Sequence, residues 1–241
     1  MIAADAFGKI YLTMDIDWAS DEVLENALDL FQELQMPVTI FVTHDTPLLS
    51  RMRQDPLIRL GIHPNFYPQL QNRAEEDYLA VIQKLHALVP EAVSARSHGL
   101  VDATPLLLAF KNVGITRDLN LFLPYSAKLK NRPFRHFSGL LRVPFFYEDD
   151  AYCFEPHKFS PEEHVLAAPD CLRVFNFHPI HLFLNTESMD RYEKAKVLQR
   201  DFQRLKEFIN PDQMAGARSF LKRVAACAKD HQIAFDHVEN I

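Results

Sequence analysis

The chain has 241 residues, 48% hydrophobic and 24% charged, enough for a full-sized core, and α/β barrels of this length commonly fold as one unit. A net charge of −6 with scattered basic residues argues against a broad nucleic-acid surface. Cys153, Cys171 and Cys227 fit neither a disulfide framework nor a metal knuckle and read as reduced, mostly buried thiols of a cytoplasmic protein.

In chain order, residues 1–18 show no basic flank followed by an apolar block, so no signal peptide is expected. No stretch approaches the ~20 apolar residues of a membrane span. The first clear element is IYLTMDID, residues 10–17, where Ile10, Leu12, Met14 and Ile16 alternate with Tyr11, Thr13, Asp15 and Asp17, a strand period. Residues 21–34 carry apolar side chains at helical spacing, with Ser20 placed as the N-cap. Strands are then expected at 38–43, 57–63, 92–98, 114–120, 139–146 and 171–178, with helices at 48–54, 75–89 and 104–113 between them. Two long helices, about 189–208 and 212–230, close the chain before a last strand at 233–238. The irregular stretch 121–138 is long enough to be a functional loop.

Strands that alternate with helices throughout indicate a mostly parallel sheet covered by helices. No internal repeat or linker divides the chain, so residues 1–241 are expected to form a single domain. Periodicity alone leaves a barrel and an open sheet both standing; either places ligands at the carboxyl ends of strands.

Unusual polar residues gather at those ends: Asp15 and Asp17, His63, Arg96 and His98, Asp118 and Asn120, Asn176 and His178. In a strand, residues i and i+2 share a side. An isolated Asp at a strand end most often caps the next helix, but here Ser20 or Asp21 suits that role better. Burying so many charges without a metal or reciprocal pairs is expensive. Two imidazoles and a carboxylate from separate elements suit Zn²⁺ or another first-row divalent ion, with one position open for water.

The segments TMDIDW (13–18), LGIHPNF (60–66), ARSHGL (95–100), RVPFFYEDD (142–150) and FNFHPIHLFLN (175–185) resemble the ordered motifs of the polysaccharide deacetylases. This is the carbohydrate esterase 4-like superfamily, and the likeness is strongest to its surface-polysaccharide and O-antigen branch. The resemblance implies a distorted (β/α) barrel of about seven strands with helices outside. It also implies a metal-dependent hydrolase that removes an N-acyl group from a sugar. Asp15 would be the general base, Arg96 its holder and His178 the general acid. The family's second motif has two histidines four positions apart; here the second is Tyr67, and His98 is its natural replacement. The implied ligands are Asp17, His63 and His98, holding zinc or, in its place, Mn, Co, Ni or Fe.

Trp18, Asp118, Asn120, Glu148 and Asn176 are the expected substrate contacts. His44 is a candidate for the cleft, His181 for a local support or, less often, a metal contact, and Tyr125, Phe146 and Tyr147 for sugar platforms; Asp149 and Asp150 share with Glu148 an acidic run of a kind usually solvated, which here follows a strand and is a candidate for binding sugar hydroxyls. The expected partner is a nucleotide-, lipid- or polymer-linked N-acylated sugar met in the cytoplasm, without nucleic acid or a membrane span. Two other readings stand beside this one: a metal-dependent hydrolase of other C–N bonds, and a non-catalytic sugar-binding protein of the same fold.

Overall fold

The computed structural model describes residues 6–155, 160–166, 170–199 and 201–241. Ten strands among them form one sheet: β1 (Ile10–Asp15), β2 (Val38–Val42), β3 (Ile58–Ile62), β4 (Ser94–Ala95), β5 (Arg117–Asp118), β6 (Phe134–Arg135), β7 (Leu141–Arg142), β8 (Tyr147–Glu148), β9 (Arg173–Phe177) and β10 (Phe235–Asp236). Their spatial order is β6-β7-β5-β4-β3-β2-β1-β9-β8, with β10 beside β1. Every pairing is parallel except β6 with β7.

One segment curls this sheet. Leu141 and Arg142 pair with β5, Phe145 bridges to Phe122, and Tyr147 and Glu148 pair with β9. The stretch 141–148 thus touches both ends of the parallel run. Counted as one strand, it joins β1, β2, β3, β4, β5 and β9 in a distorted barrel, as expected.

Strand alternation sorts side chains into two layers. Ile10, Leu12, Met14, Val38, Ile40, Val42, Leu60, Ile62, Phe175 and Phe177 pack outward in the large core beneath the helices. Those helices include Asp21–Glu33, Thr104–Asn112 and Ala217–Asp230. Tyr11, Phe41, Leu119, Val143, Phe145 and Val174 form a second cluster inside the curl. Gly61 makes that interior fit: a Cβ there would lie 2.6 Å from the Phe41 ring and 2.8 Å from Ser94 Oγ. The amino end of the barrel is closed by the turn Val238–Asn240, where Glu239 accepts hydrogen bonds from Thr39 Oγ1 at 2.7 Å and Ser94 Oγ at 2.6 Å.

Several expected elements are shorter. The strands at 92–98, 114–120 and 139–146 reduce to two-residue pairings. The helix expected at 189–208 appears as Met189–Lys196 and Phe202–Leu205, with Arg200 outside the described residues. Ser20 occupies the N-cap but makes no capping hydrogen bond. Of the cysteines, only Cys227 is buried; Cys153 and Cys171 are half-buried. No helix among the described residues is long and apolar enough to cross a membrane.

Candidate active site

The inward positions at the carboxyl ends of β1, β3, β4, β8 and β9 open into one cavity of about 260 Å³. Asp15, Asp17, His63, His98, Glu148, Asp150 and His178 line it. The chain leaves β1 through a left-handed turn, with φ of 38° at Asp17 and 54° at Trp18. Non-glycine residues adopt this conformation rarely, and strain of this kind clusters at functional sites. Here the turn swings the Asp17 carboxylate toward β3 and β4.

Asp17 Oδ1 lies 3.1 Å from His63 Nε2 and 3.1 Å from His98 Nδ1, and one ligand atom from each falls within 4.8 Å of the others. Burial pushes the Asp17 carboxyl up, but His63 and His98, with the charge of His178, outweigh it and hold the group far below the usual carboxylate range. The donor set fits a first-row divalent cation. Four carboxyl groups surround the cavity; Arg96 offsets Asp15 and His178 is engaged by Asp149, so a cation beside Asp17 would offset part of the remainder.

His98 is fixed by a ring cage. Trp18, His63 and Tyr67 meet its imidazole edge-on at 5.0, 5.6 and 5.7 Å between centroids. Gly99 completes the fit: its φ is +60°, and a Cβ would fall 2.1 Å from the Tyr67 hydroxyl. Tyr67 therefore packs against His98 from the position where the family places its second motif histidine.

Asp15 is 2% exposed and held on both oxygens. Arg96 Nη1 donates to Oδ1 at 3.1 Å and Asn176 Nδ2 to Oδ2 at 2.9 Å. Arg96 is fully buried between the rings of Phe41 and Phe145, 4.8 and 4.3 Å from their centroids. The same Nη1 donates to Thr13 Oγ1 at 3.0 Å and to Asn176 Oδ1, while Nε donates to the Leu119 carbonyl. A cation locked in this way fixes the direction of the Asp15 carboxylate.

Across the cavity, His178 Nδ1 lies 2.7 Å from Asp149 Oδ1, and the His178 backbone N–H donates to Asp149 Oδ2 at 2.8 Å. Nε2 is left facing the cavity, 3.9 Å from Asp15 Oδ2 and 3.8 Å from Asp17 Oδ2. Burial pushes the imidazole down, yet Asp149, Asp150 and Asp17 together raise it well above its ordinary value. Glu148 accepts from Asn176 Nδ2 at 3.0 Å. Burial, with help from Asp150, pushes its carboxyl well above the usual carboxylate range.

Asp15, Asp17, His63, His98, Glu148 and His178 thus meet at one cavity, with Arg96 and Asn176 directly behind it. Trp18 stands at its edge. Asp118 and Asn120 do not meet it, and their expected role as substrate contacts is corrected: they share a face, but Leu119 between them points into the curl, so they point the other way. There Asp118 is 2.6 Å from Arg142 Nε and accepts from Asn120 Nδ2, while Asn120 Oδ1 accepts the Ser97 N–H. Asn176 has no exposed surface, so it braces Asp15 and Arg96 rather than touching a substrate.

Tyr125, Phe146 and Tyr147, expected as sugar platforms, do not line the cavity; they pack around His164, with Phe146 and Tyr147 buried. His44 is engaged by Thr43 Oγ1 at 2.7 Å and does not line the cavity, whereas His181 is held by Thr186 Oγ1 at 3.1 Å. Asp149, the partner of His178, is the residue that sequence reasoning missed. Alternation does not reveal it: Phe145 faces inside the curl while Phe146 and Tyr147 both join the outer core, so the alternation breaks there and brings Glu148 and Asp150, not Asp149, to the cavity.

A family profile described as WbmS-like polysaccharide deacetylase matches residues 12–196. A solved structure from Bordetella bronchiseptica, described as a polysaccharide deacetylase involved in O-antigen biosynthesis, is 39% identical. It aligns with a TM-score of 0.84 over 91% of this chain and 90% of that one. A 4-α-glucanotransferase from Thermococcus litoralis, 12% identical, aligns with a TM-score of 0.53 over 95% of this chain and 37% of that one, a likeness of fold alone. No curated protein sequence matches the chain.

Proposed function

The chain belongs to the WbmS-like polysaccharide deacetylase family, and from that premise we propose that it is a metal-dependent carbohydrate N-deacetylase. As one catalytic domain in the cytoplasm, it hydrolyses the C–N bond of an N-acyl, chiefly N-acetyl, group on a sugar used in surface-polysaccharide or O-antigen biosynthesis. The observation that supports this most is the meeting of Asp17, His63 and His98 beside a clamped Asp15, with His178 opposite.

Asp17, His63 and His98 would hold the divalent ion, zinc first among the candidates. When bound, it supplies Lewis acidity for the acyl oxygen and lowers the pKa of water. Asp15 takes a proton from the attacking water, while Arg96 and Asn176 hold its carboxylate toward the cavity. As the C–N bond breaks, His178 Nε2 donates its proton to the departing sugar nitrogen. Asp149 fixes the imidazole ring so that Nδ1 stays engaged and Nε2 faces the nitrogen. Glu148, whose carboxyl is pushed upward by burial and by Asp150, lines the cavity beside Asp15 and is placed to meet an acyl or sugar oxygen. The products are a carboxylate and a free amine. A purely binding protein would need neither the clamped base nor the charged imidazole.

The test is acetate release from N-acetylated sugars, read together with metal content after purification without chelator. Asp17→Ala and His63→Ala are expected to lose both metal and turnover. Asp15→Asn keeps the metal but loses about 10²–10⁴-fold in turnover, the usual contribution of a positioned acid or base. Near-normal turnover in Asp15→Asn, or full metal content in Asp17→Ala, would remove the role given to that residue.

A further inference from the structure

From Leu119 to Tyr147 the chain contains no Asp or Glu, yet it carries Lys128, Lys130, Arg132, Arg135 and Arg142, in a protein whose net charge is −6. Arg142 is buried and held by Asp102 and Asp118. The other four are exposed. Lys130 and Arg132 share one carboxylate among the described residues, that of Asp170. Arg135 donates to the Gly139 carbonyl at 3.5 Å. Lys111 lies against the same turn, its Cε 3.6 Å from the place a Cβ would take on Gly139.

Apolar side chains stand among these cations. β6 and β7 form a hairpin through residues 136–140, and Phe137 in its turn is 78% exposed, with Phe134 on β6 at 44%. Turns of this kind ordinarily carry small polar residues. The turn itself is fixed: the His136 N–H donates to the Leu140 carbonyl and the Gly139 N–H to the His136 carbonyl, both at 2.9 Å, and Gly139 takes a φ of 89°. The His136 ring packs on Phe137 at 4.2 Å between centroids. Phe137 is thus held out from the protein rather than folded onto it. β7 runs parallel to β5, so the turn before it lies at the amino ends of the strands, opposite the catalytic cavity. The deacylation chemistry makes no use of it.

A fixed ring set among cations matches an anionic bilayer surface, where the cations meet lipid phosphates and the ring enters the layer between headgroups and acyl chains. A second copy of the chain fits less well. β6 is an edge strand of two residues, and a twofold contact along it would bring the cations of both copies together. Single-stranded nucleic acid is bound by grooves that track its backbone, whereas this ring stands on a protruding turn.

We propose that the β6–β7 hairpin is a peripheral membrane contact: Phe137 enters the interface of an anionic bilayer while Arg135, Lys111 and the neighbouring cations meet its phosphates. The catalytic cavity then faces away from the lipid. This goes beyond the deacetylase reading and does not depend on it.

The full chain is mixed with vesicles of equal parts phosphatidylglycerol and phosphatidylcholine, or of phosphatidylcholine alone, and the bound fraction is measured by sedimentation. Binding to the anionic vesicles is expected, and it should fall as salt rises from about 0.1 to about 1 M, where the screening length shrinks from about 10 to about 3 Å. Arg135→Ala and Lys111→Ala should each lower the partition coefficient about fivefold, and Phe137→Ser about tenfold, with the melting temperature unchanged. Phe137→Trp reports on the turn directly. Its emission should move to the blue with anionic vesicles, while the native chain, whose single Trp18 stands against His98, shows no such move.

Equal binding to both kinds of vesicle, binding to neither, or an unmoved emission in Phe137→Trp overturns the proposal. So does binding that persists undiminished in Phe137→Ser and Arg135→Ala. A lipid-free dimer that Phe137→Ser dissolves, or tighter binding of an oligouridylate than of the vesicles, would give the hairpin to another partner and overturn the membrane contact as well.

Discussion

Asp15 and His178 face one another with 3.9 Å between Oδ2 and Nε2, and their surroundings suit them to the opposite duties proposed above. One is gripped by a buried guanidinium and an amide, the other by a buried carboxylate. Groups whose environments differ in this way divide base and acid work between them. The acid half yields a pH prediction. His178 donates only when protonated, and the carboxylates around it raise its value above that of an ordinary imidazole. Activity is therefore present below that raised value and lost as pH rises through it. Asp149→Asn removes the nearest charge, His178 falls toward its ordinary value, and the alkaline limb of the kcat/KM profile moves to lower pH. An alkaline limb that stays in place would separate His178 from the proton transfer. Asp15, Asp17, His63, Arg96, His98 and His178 are legible in the sequence because a polar residue at a strand end is conspicuous. Asp149 is not, because a run of three acidic residues looks solvated until the register of β8 against β9 is known.

The elements show where periodicity stops being informative. Long strands such as β1, β2 and β9 fall where alternation puts them. In β5, alternation correctly groups Asp118 with Asn120 but cannot say which face is inside; that is set by Leu119 joining the inner cluster. Beyond β4 the chain turns at once into His98–Leu100, and the glycine there matters more than any strand propensity. Gly99→Ala places a methyl group into Tyr67 and forces a side chain onto a backbone at φ +60°. Backbone strain of this kind costs about 1–3 kcal/mol. At about 2–4 °C per kcal/mol for a chain of this size, the melting temperature should fall by several degrees. Adding Tyr67→Ala relieves the collision but not the dihedral, so only part of the loss returns. Complete recovery in the double variant would mean that the left-handed backbone carries no cost.

At the scale of the molecule, the curl determines what the proposed metal ligands can do. Residues 141–148 tie β5 to β9 at opposite ends of the sheet, and Glu239 holds the hydroxyls of Thr39 and Ser94 at the amino end of the barrel. Asp17, His63 and His98 follow β1, β3 and β4 and are far apart in sequence, so the unfolded chain has no ready-made site. An ion that binds only the folded form stabilises it by about 2.7 kcal/mol at a hundred times its Kd, and by about 1.4 kcal/mol for each further tenfold. For a protein of this length that is about 5–10 °C in melting temperature at the first level. Protein stripped by chelator and titrated with zinc should therefore melt at progressively higher temperature, while Asp17→Ala, which keeps the barrel but loses the shared carboxylate, should show no such climb. The same climb in Asp17→Ala would place the stabilising ion elsewhere, since nothing else in the titration depends on that one carboxylate.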